Sequence, residues 1–465
     1  MSHNTSPLIA AYDAALISKY DVAGPRYTSY PTAPHFTADF TVAQYEQLWQ
    51  HSQPCITPLS LYVHVPFCEN ICYYCACNKV VTRHKEKARH YLNYLEKEIR
   101  MQAALVGAKR PVTQLHWGGG TPTFLNAAEL TELMYALASH FSLLDCDERE
   151  YSIEIDPRTV DRNTLALLKG LGFNRLSFGV QDFDPRVQRA VNRMQSLASV
   201  RDLVEAARGF GFKSISFDLI YGLPLQSLDS VKTTLQQVIA LKPDRIALYS
   251  YAHLPERFPT QRSIDRMTLP TADEKIAMLQ LANDRFGAAG YRHIGMDHFV
   301  LAQDELALAQ QRGKLQRNFQ GYSTCKAPDL VGLGVSAIGS TPMSYTQNAR
   351  DLANYYAALD ADKLPIERGL LITEDDLIRR HVIMQIICNL HLDIAALEQQ
   401  FGITWSNYFA YEQAALQQMR NDGLIELDRS QLNVTTMGRP FLRNICMALD
   451  NYLRSEQPVR FSRAI

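Results

Sequence analysis

Six short apolar segments, each followed by a helix-like pattern, constrain the fold of this chain more than any other feature. The segments lie at 59–65, 113–117, 151–156, 175–180, 214–222 and 245–251. Helical periodicity separates them, most clearly at 87–106, 127–141 and 228–242. A strand–loop–helix unit repeated about six times predicts an α/β fold, an incomplete parallel (β/α)6 barrel that is open on one side. Polar residues at the carboxyl ends of its strands would then share one mouth.

The regions that flank the barrel differ from it in pattern, and we expect three parts. Residues 1–55 form an N-terminal arm and helices, including the proline-flanked segment GPRYTSYPT at 24–32. Residues 56–365 form the barrel, and residues 366–465 a mainly helical domain in which helix, hairpin and helix follow one another, as in a winged-helix module. This last region holds 12 acidic and 10 basic side chains and no lysine. Its charge favours a structural or substrate-covering role over DNA binding.

The composition is that of an ordinary soluble protein. The net charge is −1 and 46% of the residues are hydrophobic, which does not favour a nucleic-acid partner. The N-terminus lacks the cationic start and apolar core of a signal peptide, and no apolar run is long enough for a membrane span. We therefore expect a cytoplasmic protein with reduced thiols. Nothing in the sequence indicates an obligate interface, so a monomer is expected.

Four of the nine cysteines lie within ten residues, in the loop that follows the first predicted strand. Their spacing is C-x3-C-x2-C for Cys68, Cys72 and Cys75, with Cys77 two residues further on. An iron–sulfur cluster takes thiolates from closely spaced cysteines. Three thiolates leave one iron of a four-iron cluster without a protein ligand, and catalysis at a metal needs such an open position.

A structural zinc site is the alternative interpretation of the cysteine cluster. A structural zinc site usually takes two ligand pairs separated by a dozen or more residues. No second pair lies at that distance here, so a zinc-stabilised binding module is the less favoured alternative. The remaining cysteines are expected to be buried small hydrophobic residues: Cys55, Cys146, Cys325, Cys388 and Cys446.

The cysteine loop resembles that of the radical S-adenosylmethionine (SAM) superfamily, in which C-x3-C-x2-C directly follows the first strand. The glycine-rich segment HWGGGTPT at 116–123, after the second strand, is similar to the SAM-binding glycine motif of that superfamily. The resemblance implies one [4Fe–4S] cluster held by Cys68, Cys72 and Cys75, with SAM on the fourth iron. Reductive cleavage of SAM would release a 5′-deoxyadenosyl radical that abstracts hydrogen from the substrate.

Over nearly its whole length the chain resembles one family, the oxygen-independent coproporphyrinogen III oxidases. The segments that carry the resemblance include YVHVPFCENICYYCACNK, QLHWGGGTPTFLN, EIDPR, NRLSFGVQDF, DLIYGLP, GMDHF, GPRYTSYPT and FLRNICM. Cys77 favours this family over the related haem chaperones, which typically carry an aromatic residue at that place. A haem carrier is nevertheless the second functional hypothesis. Ala76 and Tyr74 depart from the glycine and phenylalanine that are common in the family.

The resemblance also assigns residues to the two SAM molecules of the family. Tyr62, Tyr74, Gly119, Glu154 and Ile338 match positions that contact the first SAM. The second SAM would contact Gly120, Thr121, Gln181, Arg193, Asp218 and Ala252. Because Gln181, Asp218 and Ala252 follow strands four, five and six, one barrel mouth can hold them together.

Residues for catalysis and substrate binding are less sharply indicated. The family implies a functional role for Cys77 near the cluster and substrate. His64 lies two residues after Tyr62 and therefore faces the same side of the strand. We take Cys77, His64 and Tyr62 as the catalytic candidates, although a histidine on a strand is as often a packed core residue. Further candidates for contacts with the substrate are Arg26, Tyr27, Tyr30 and His298.

The reaction implied by the resemblance belongs to haem biosynthesis. Two propionate side chains of coproporphyrinogen III would lose CO2 and become vinyl groups, which gives protoporphyrinogen IX. Each decarboxylation would consume one SAM. A reducing protein such as flavodoxin or ferredoxin would supply the electron to the cluster, and the sequence does not identify the final electron acceptor.

Overall fold

The computed structural model describes residues 14–51, 57–107, 109–324 and 329–454. Each of the six predicted segments forms a strand, and the six strands lie side by side in parallel in chain order. Their bounds are β1 Leu59–Val65, β2 Pro111–Gly119, β3 Glu150–Ile155, β4 Arg175–Gln181, β5 Ser214–Tyr221 and β6 Arg245–Ser250. The incomplete α/β barrel predicted from the periodicity is confirmed.

The sheet continues beyond both ends of these six strands, which the sequence pattern does not predict. Two antiparallel strands follow β6 and four strands follow β1, of which only the nearest is parallel to β1. They are β7 Tyr291–Gly295, β8 His298–Leu301, β9 Asp329–Leu333, β10 Ile338–Thr341, β11 Ser344–Asn348 and β12 Ile366–Leu371. Within the described ranges the end strands β7 and β12 do not pair with each other, so the barrel is not closed.

Sixteen helices of the described residues surround and extend the sheet. In chain order they are α1 Ala14–Tyr20, α2 Val42–His51, α3 Glu86–Val106, α4 Ala127–His140, α5 Arg162–Gly170, α6 Pro185–Ala190, α7 Leu197–Gly209, α8 Leu228–Leu241, α9 Ala272–Ala288, α10 Glu305–Gln311, α11 Leu352–Asp360, α12 Glu374–Asn389, α13 Ile394–Phe401, α14 Trp405–Tyr408, α15 Gln413–Asn421 and α16 Leu442–Met447. The three helices predicted most clearly, α3, α4 and α8, begin and end within one residue of their predicted bounds. None of the helices in the described part of the chain is long and apolar enough to span a membrane.

The barrel core lies between the strands and the helices that follow them. Leu61, Val63 and Val65 of β1 are fully buried and pack in the same cluster as apolar residues of α3 and α4. Asn126 begins α4 with a capping box, in which its side chain accepts from the Glu129 N–H and Glu129 accepts from the Asn126 N–H. Such caps satisfy N–H groups that the helix leaves without partners, and they fix where each helix begins.

The C-terminal region has the predicted helix–hairpin–helix order. Helices α12 and α13 are followed by α15, a hairpin of Ile425–Leu427 and Gln431–Val434, and α16. Its apolar core also contains Tyr27 and Tyr30 of the N-terminal arm. The Tyr27 hydroxyl donates to Asp450 Oδ2 at 2.8 Å, so the arm is joined to this domain. The boundaries at residues 55 and 365 stay predictions, since the arm and the C-terminal domain share one core.

The loop after β1 is held at both ends. The two-residue strands Phe67–Cys68 and Val80–Val81 pair in parallel, and the Thr82 N–H donates to the Cys68 carbonyl at 2.9 Å. The cysteine loop therefore begins and ends at one place, next to the carboxyl end of β1.

Among the single cysteines, Cys388 and Cys446 are buried as expected and Cys146 is half-buried, while Cys55 and Cys325 lie outside the described residues.

Candidate active site

A cavity of about 820 Å³ extends along the inside of the barrel, from the amino ends of β3 to β6 to the carboxyl ends of the strands. Its walls come from the cysteine loop, from residues along β2 to β6, and from residues 24–28 of the arm. Most of the predicted site residues line this cavity: Cys68, Cys72, Tyr74, Cys75, Cys77, Gly119, Gly120, Thr121, Glu154, Gln181, Arg193, Asp218 and Ala252. The parallel barrel thus brings together side chains that are far apart in the sequence.

Each of the three spaced thiols has a hydrogen-bonding neighbour that suits a negatively charged sulfur. Thr121 Oγ1 lies 3.4 Å from Cys68 Sγ, and Arg158 Nη2 lies 3.4 Å from Cys72 Sγ. The thiol of Cys77 donates to Cys75, and together with Lys79 it lowers the pKa of Cys75 to about 6. Burial raises the pKa of Cys68 to about 11, and bonding to a metal would favour the thiolate form of this thiol.

The donor set fits an iron–sulfur cluster. In the described residues, no three or more His, Cys, Asp or Glu side chains are gathered where they could hold a single metal ion. A cluster does not require that arrangement, because each thiolate bonds a different iron. Three cysteine thiols face one cavity, and cationic or hydroxyl donors lie beside their sulfurs. Hydrogen bonds of this kind are what a protein uses to stabilise cluster sulfurs.

The glycine turn after β2 lies so close to the backbone before the cysteine loop that residues with a Cβ atom would not fit there. Gly119 has φ of +119°, which is unfavourable for residues with a side chain. A Cβ atom on Gly120 would lie 2.5 Å from the Pro66 carbonyl oxygen and 2.7 Å from its carbon. The Gly120 N–H donates to the Val65 carbonyl at 2.9 Å. These contacts hold the turn against the backbone that leads into Cys68.

Glu154 connects the glycine turn to a pair of stacked rings. Its Oε2 accepts from the Gly119 N–H at 3.2 Å, and its Oε1 lies 3.2 Å from His116 Nε2. Burial by itself would raise the pKa of Glu154, but these two partners outweigh it and the pKa is lowered. The His116 ring stacks on Tyr62 with 5.8 Å between ring centroids. Glu154 is therefore an ionised acceptor at the cavity wall.

Asp218 faces the same cavity, but its pKa is shifted in the opposite direction from that of Glu154. Burial, with a contribution from the negative charge of Glu154, raises its pKa to about 7. The Ser177 hydroxyl donates to Asp218 Oδ2 at 3.0 Å and favours the ionised form, but not enough to offset burial. The site therefore pairs a carboxylate at Glu154 with a carboxyl group at Asp218 that changes charge near neutral pH.

Arg193 and Arg158 converge on one carboxylate and one thiol. Arg193 Nη1 lies 3.1 Å from Asp156 Oδ2 and 3.5 Å from Cys72 Sγ. Arg158 Nη2 lies 2.6 Å from the same Asp156 oxygen. Arg193 also donates to the carbonyl of Gly179 in β4. Asp156 thus orients two guanidinium groups toward the sulfur of Cys72.

Comparison with known proteins identifies the family. Residues 62–238 match the family model of the Radical SAM superfamily, and residues 372–441 match that of the HemN C-terminal domain. A Pseudomonas aeruginosa protein named oxygen-independent coproporphyrinogen III oxidase is 51% identical over 98% of this chain and 99% of its own length. The chain belongs to the oxygen-independent coproporphyrinogen III oxidase family. Its cofactors are accordingly a [4Fe–4S] cluster and SAM, and it is a radical SAM oxidoreductase.

Two Escherichia coli comparisons agree with this family. The E. coli protein of the same name is 46% identical over 98% of both chains. A solved structure described as coproporphyrinogen III oxidase (HemN) from E. coli, a radical SAM enzyme, superposes with a TM-score of 0.91. It is 46% identical and covers 96% of this chain and 100% of its own. Both the barrel and the C-terminal domain therefore follow the family fold.

Three of the predicted site residues, Tyr62, His64 and Ile338, do not belong to the lining of the cavity. The Tyr62 hydroxyl lies 3.1 Å from His64 Nδ1, as expected for side chains on one face of β1. His64 Nε2 lies 3.0 Å from the Asn78 carbonyl oxygen, and burial lowers the pKa of His64. Ile338 begins β10 and packs against the Phe36 cluster. The assigned roles of these three residues stay predictions.

Of the four candidates for substrate contact, three line the cavity and one does not. Arg26, Tyr27 and His298 line the cavity. Tyr30 does not close over it, because its ring is fully buried and its hydroxyl accepts from the Asn451 N–H at 3.1 Å. The aromatic residues of the arm therefore attach it to the C-terminal domain, and Arg26 is left exposed at the cavity rim.

Residues that sequence reasoning did not assign also belong to this coproporphyrinogen oxidase site. His116, Asp156 and Arg158 lie within HWGGGTPT and EIDPR, segments that carry the family resemblance, yet no role was derived for them. Strand alternation gives a partial signal for His116, because it places His116 on the same face of β2 as Gln114 and Gly118. No sequence pattern indicates that Arg158 would contact Cys72, since that contact depends on how β3 lies beside the cysteine loop.

Proposed function

We propose that this protein converts coproporphyrinogen III to protoporphyrinogen IX without oxygen, as a step of haem biosynthesis. Each of two propionate side chains would lose CO2, a hydrogen atom from its β-carbon and one electron, which leaves a vinyl group. One observation carries the proposal: three spaced thiols share a cavity wall with the glycine turn and the polar ends of β3 to β5. Support also comes from the curated relatives, which are named for this activity over nearly their full length.

Cys68, Cys72 and Cys75 would hold the cluster, and the cavity in front of them would hold two SAM molecules. When bound, the cluster and SAM supply a one-electron reductive cleavage and the hydrogen abstraction that begins decarboxylation. The first SAM would lie near Tyr74, Gly119 and Glu154. The second would lie near the remaining assigned residues, Gly120, Thr121, Gln181, Arg193, Asp218 and Ala252.

The protein's own side chains would orient these ligands. Glu154 is held as an acceptor by His116 and the Gly119 N–H, so it suits a ribose hydroxyl or an ammonium group. Gln181 lies at the end of β4 with φ of +65°, after a register shift in the strand. Such local strain is common where a side chain is re-aimed at a site. It supports a binding role for Gln181.

The arm and the barrel wall would exclude water from the reaction. Tyr27 is fully buried by the C-terminal domain, and its neighbours Pro25, Arg26 and Thr28 line the cavity. A reactive radical requires such confinement, because it abstracts hydrogen from any group it meets. Arg26 and Arg257 at the cavity wall would provide positive charge for propionate carboxylates.

We further propose that the protein works in the cytoplasm as a monomer. A small reduced protein such as flavodoxin or ferredoxin would deliver electrons to the cluster. The reduced state of the cysteines that such a cluster requires supports this compartment. The net charge of −1 gives no support for a nucleic-acid partner.

An anaerobic turnover assay tests the proposed function. Protein with a reconstituted cluster, SAM and a low-potential reductant should convert coproporphyrinogen III to protoporphyrinogen IX, with one 5′-deoxyadenosine formed for each CO2 released. The matched control is Cys72→Ser, which should retain the fold and lose turnover. Absence of decarboxylation by wild-type protein with an intact cluster would refute the proposal. Stoichiometric haem uptake without turnover would instead support a haem carrier.

A further inference from the structure

A second cavity of about 580 Å³ lies beside the candidate active site. Its walls come from the ends of β5 and β6, helix α9, the N-terminal arm and residues 439–443. The two cavities share five wall residues, namely Arg26, Ser250, Tyr251, Ala252 and Leu254. A molecule larger than SAM could therefore extend from one cavity into the other past the carboxyl end of β6.

The charged side chains of this second cavity favour an anion. Four permanent cations line it, Arg26, Lys275, Arg439 and Arg443, against the two carboxylates of Asp21 and Asp297. The first cavity has a similar excess of cations over carboxylates, but Arg175, Arg193 and Arg245 there are already paired with carboxylates. An anionic group placed in the second cavity would avoid these carboxylates and gain charge-assisted hydrogen bonds.

Of the four cations, Arg439 gives the strongest indication of an anionic ligand. Its Nη1 donates to the His293 carbonyl at 3.1 Å, whereas its Nε is buried without a hydrogen-bond partner in the described part of the chain. It forms no ion pair with any described carboxylate. Burial lowers the pKa of Arg439, although a guanidinium stays charged in proteins. A half-buried cation whose Nε has no hydrogen-bond partner is stabilised by an incoming carboxylate.

Arg443 fixes the position of the rim between the cavities. Its Nε donates to the Pro25 carbonyl at 3.1 Å and its Nη2 to the Gly24 carbonyl. These bonds hold the arm immediately before Arg26, which is the cation that both cavities share. The arm and the C-terminal domain therefore build this rim together.

We propose that the second cavity binds the two propionate carboxylates that remain in the product, while the propionates that react face the first cavity. This inference rests on the proposed function, since it assumes a tetrapyrrole with four carboxylates of which two are retained. Apolar wall residues suit the pyrrole rings and their methyl groups: Ile17, Leu248, Ile276, Leu279 and Phe299. Because the retained carboxylates are unchanged by both decarboxylations, one cavity can hold them through two turnovers.

Binding of two oxidised porphyrins to the cluster-loaded protein tests the proposal. Coproporphyrin III carries four propionates and protoporphyrin IX carries only the two that are retained, and both can be titrated by fluorescence without turnover. We expect Arg439→Gln to weaken the binding of both probes by about tenfold, the usual effect of losing one charge-assisted bond. Arg439→Lys should restore part of the affinity. The matched control is the exposed Arg429→Gln, which should bind both probes like wild type.

Comparing the loss of affinity for the two porphyrins in Arg439→Gln tests the proposal. Equal loss for both porphyrins supports the proposal, whereas loss for coproporphyrin III alone would show that the cavity holds the reacting propionates and overturn it. Unchanged binding of both probes by Arg439→Gln, with normal iron content, would also overturn it. In turnover, the variant should raise KM for coproporphyrinogen III about tenfold and change kcat much less, because uniform binding is lost.

Failure of the proposed function gives a different result. If wild-type protein does not decarboxylate coproporphyrinogen III, yet both porphyrins bind in an Arg439-dependent manner, the assigned reaction is wrong and the carboxylate site stands. If acetate displaces neither porphyrin at concentrations that saturate a simple anion site, the macrocycle contributes to binding. Displacement by acetate at low concentration would identify a small free carboxylate as the ligand and overturn the assignment to the tetrapyrrole.

Discussion

The guanidinium of Arg158 lies against the sulfur of Cys72, with 3.4 Å between Nη2 and Sγ, and is held there by Asp156. A cation that donates to a ligand sulfur stabilises the reduced, more negative state of an iron–sulfur cluster. Arg158 is therefore a positioning residue for the potential of the cluster rather than a ligand.

Replacing Arg158 should make the cluster harder to reduce. We expect Arg158→Gln to lower the midpoint potential by on the order of 50 mV, since 59 mV is a tenfold change for one electron. A redox titration followed by the electron paramagnetic resonance signal of the reduced cluster measures this shift. Arg186→Gln, at an exposed arginine paired with Asp184, is the control and should leave the potential unchanged. An unaltered potential in Arg158→Gln would refute a role of this contact.

Serine substitutions should separate ligands from neighbouring cysteines. Cys72→Ser should lose most of the bound iron and sulfide, because serine does not replace a thiolate in such a cluster. Cys77→Ser should keep the iron and the brown absorption but lose turnover. Cys146→Ser, at a half-buried cysteine outside the cavity, should retain both. Iron and sulfide analysis of anaerobically purified protein provides the measurement, and full iron content in Cys72→Ser would contradict the ligand assignment.

A methyl group at Gly120 should displace the cysteine loop. The added Cβ would lie 2.5 Å from a backbone oxygen of Pro66, which cannot move without shifting the residues that lead to Cys68. We expect Gly120→Ala to destabilise the protein by about 1–3 kcal/mol and to reduce its iron content. Gly170→Ala is the matched control, since nothing lies within 4 Å of its added Cβ. Urea unfolding and iron analysis of both variants test this, and equal behaviour would count against the close approach.

The raised pKa of Asp218 should make part of the stability depend on pH. The pKa is about 7 in the folded protein against an ordinary value of 3.8, so the folded state holds this proton more tightly. The free energy of unfolding contributed by this group therefore falls as pH rises between these two values. We expect the advantage of Asp218→Asn over wild type to grow by about 2–3 kcal/mol from pH 5 to pH 8.

Urea unfolding of the cluster-free protein at the two pH values measures this difference. Asp147→Asn, at an exposed carboxylate, is the control and should show the same pH dependence as wild type. An advantage of Asp218→Asn that shrinks from pH 5 to pH 8 would contradict the direction of the pKa shift.

Local sequence patterns predict the barrel well because each strand and helix is specified by its own periodicity. The segment 59–65 matches β1 residue for residue, and the other five strands differ by one or two residues at their ends. Strands β9 to β12 were not predicted, since they pair at the sheet edge beside β1 and come from distant parts of the chain. Their pairing partners are set by tertiary packing and not by their own composition.

The candidate site was predicted unevenly for a similar reason. Thirteen assigned residues line the cavity because they lie within or after consecutive parallel strands or belong to the cysteine loop. Tyr62 and His64 were placed correctly on one strand face, but strand alternation alone does not tell which layer of the wall a side chain occupies. The glycine turn packs against His64, since a Cβ atom on Gly119 would lie 2.8 Å from its ring.

By itself the sequence determined the order of strands and helices and the spacing of three thiols, because both are set by residues close together along the chain. Only the tertiary structure decided which cations meet those thiols and that the arm and the C-terminal domain enclose a second cationic cavity. Contacts such as Arg158 with Cys72, or Arg443 with Gly24, join residues whose separation in the chain carries no local signal, so the packing of whole elements creates them.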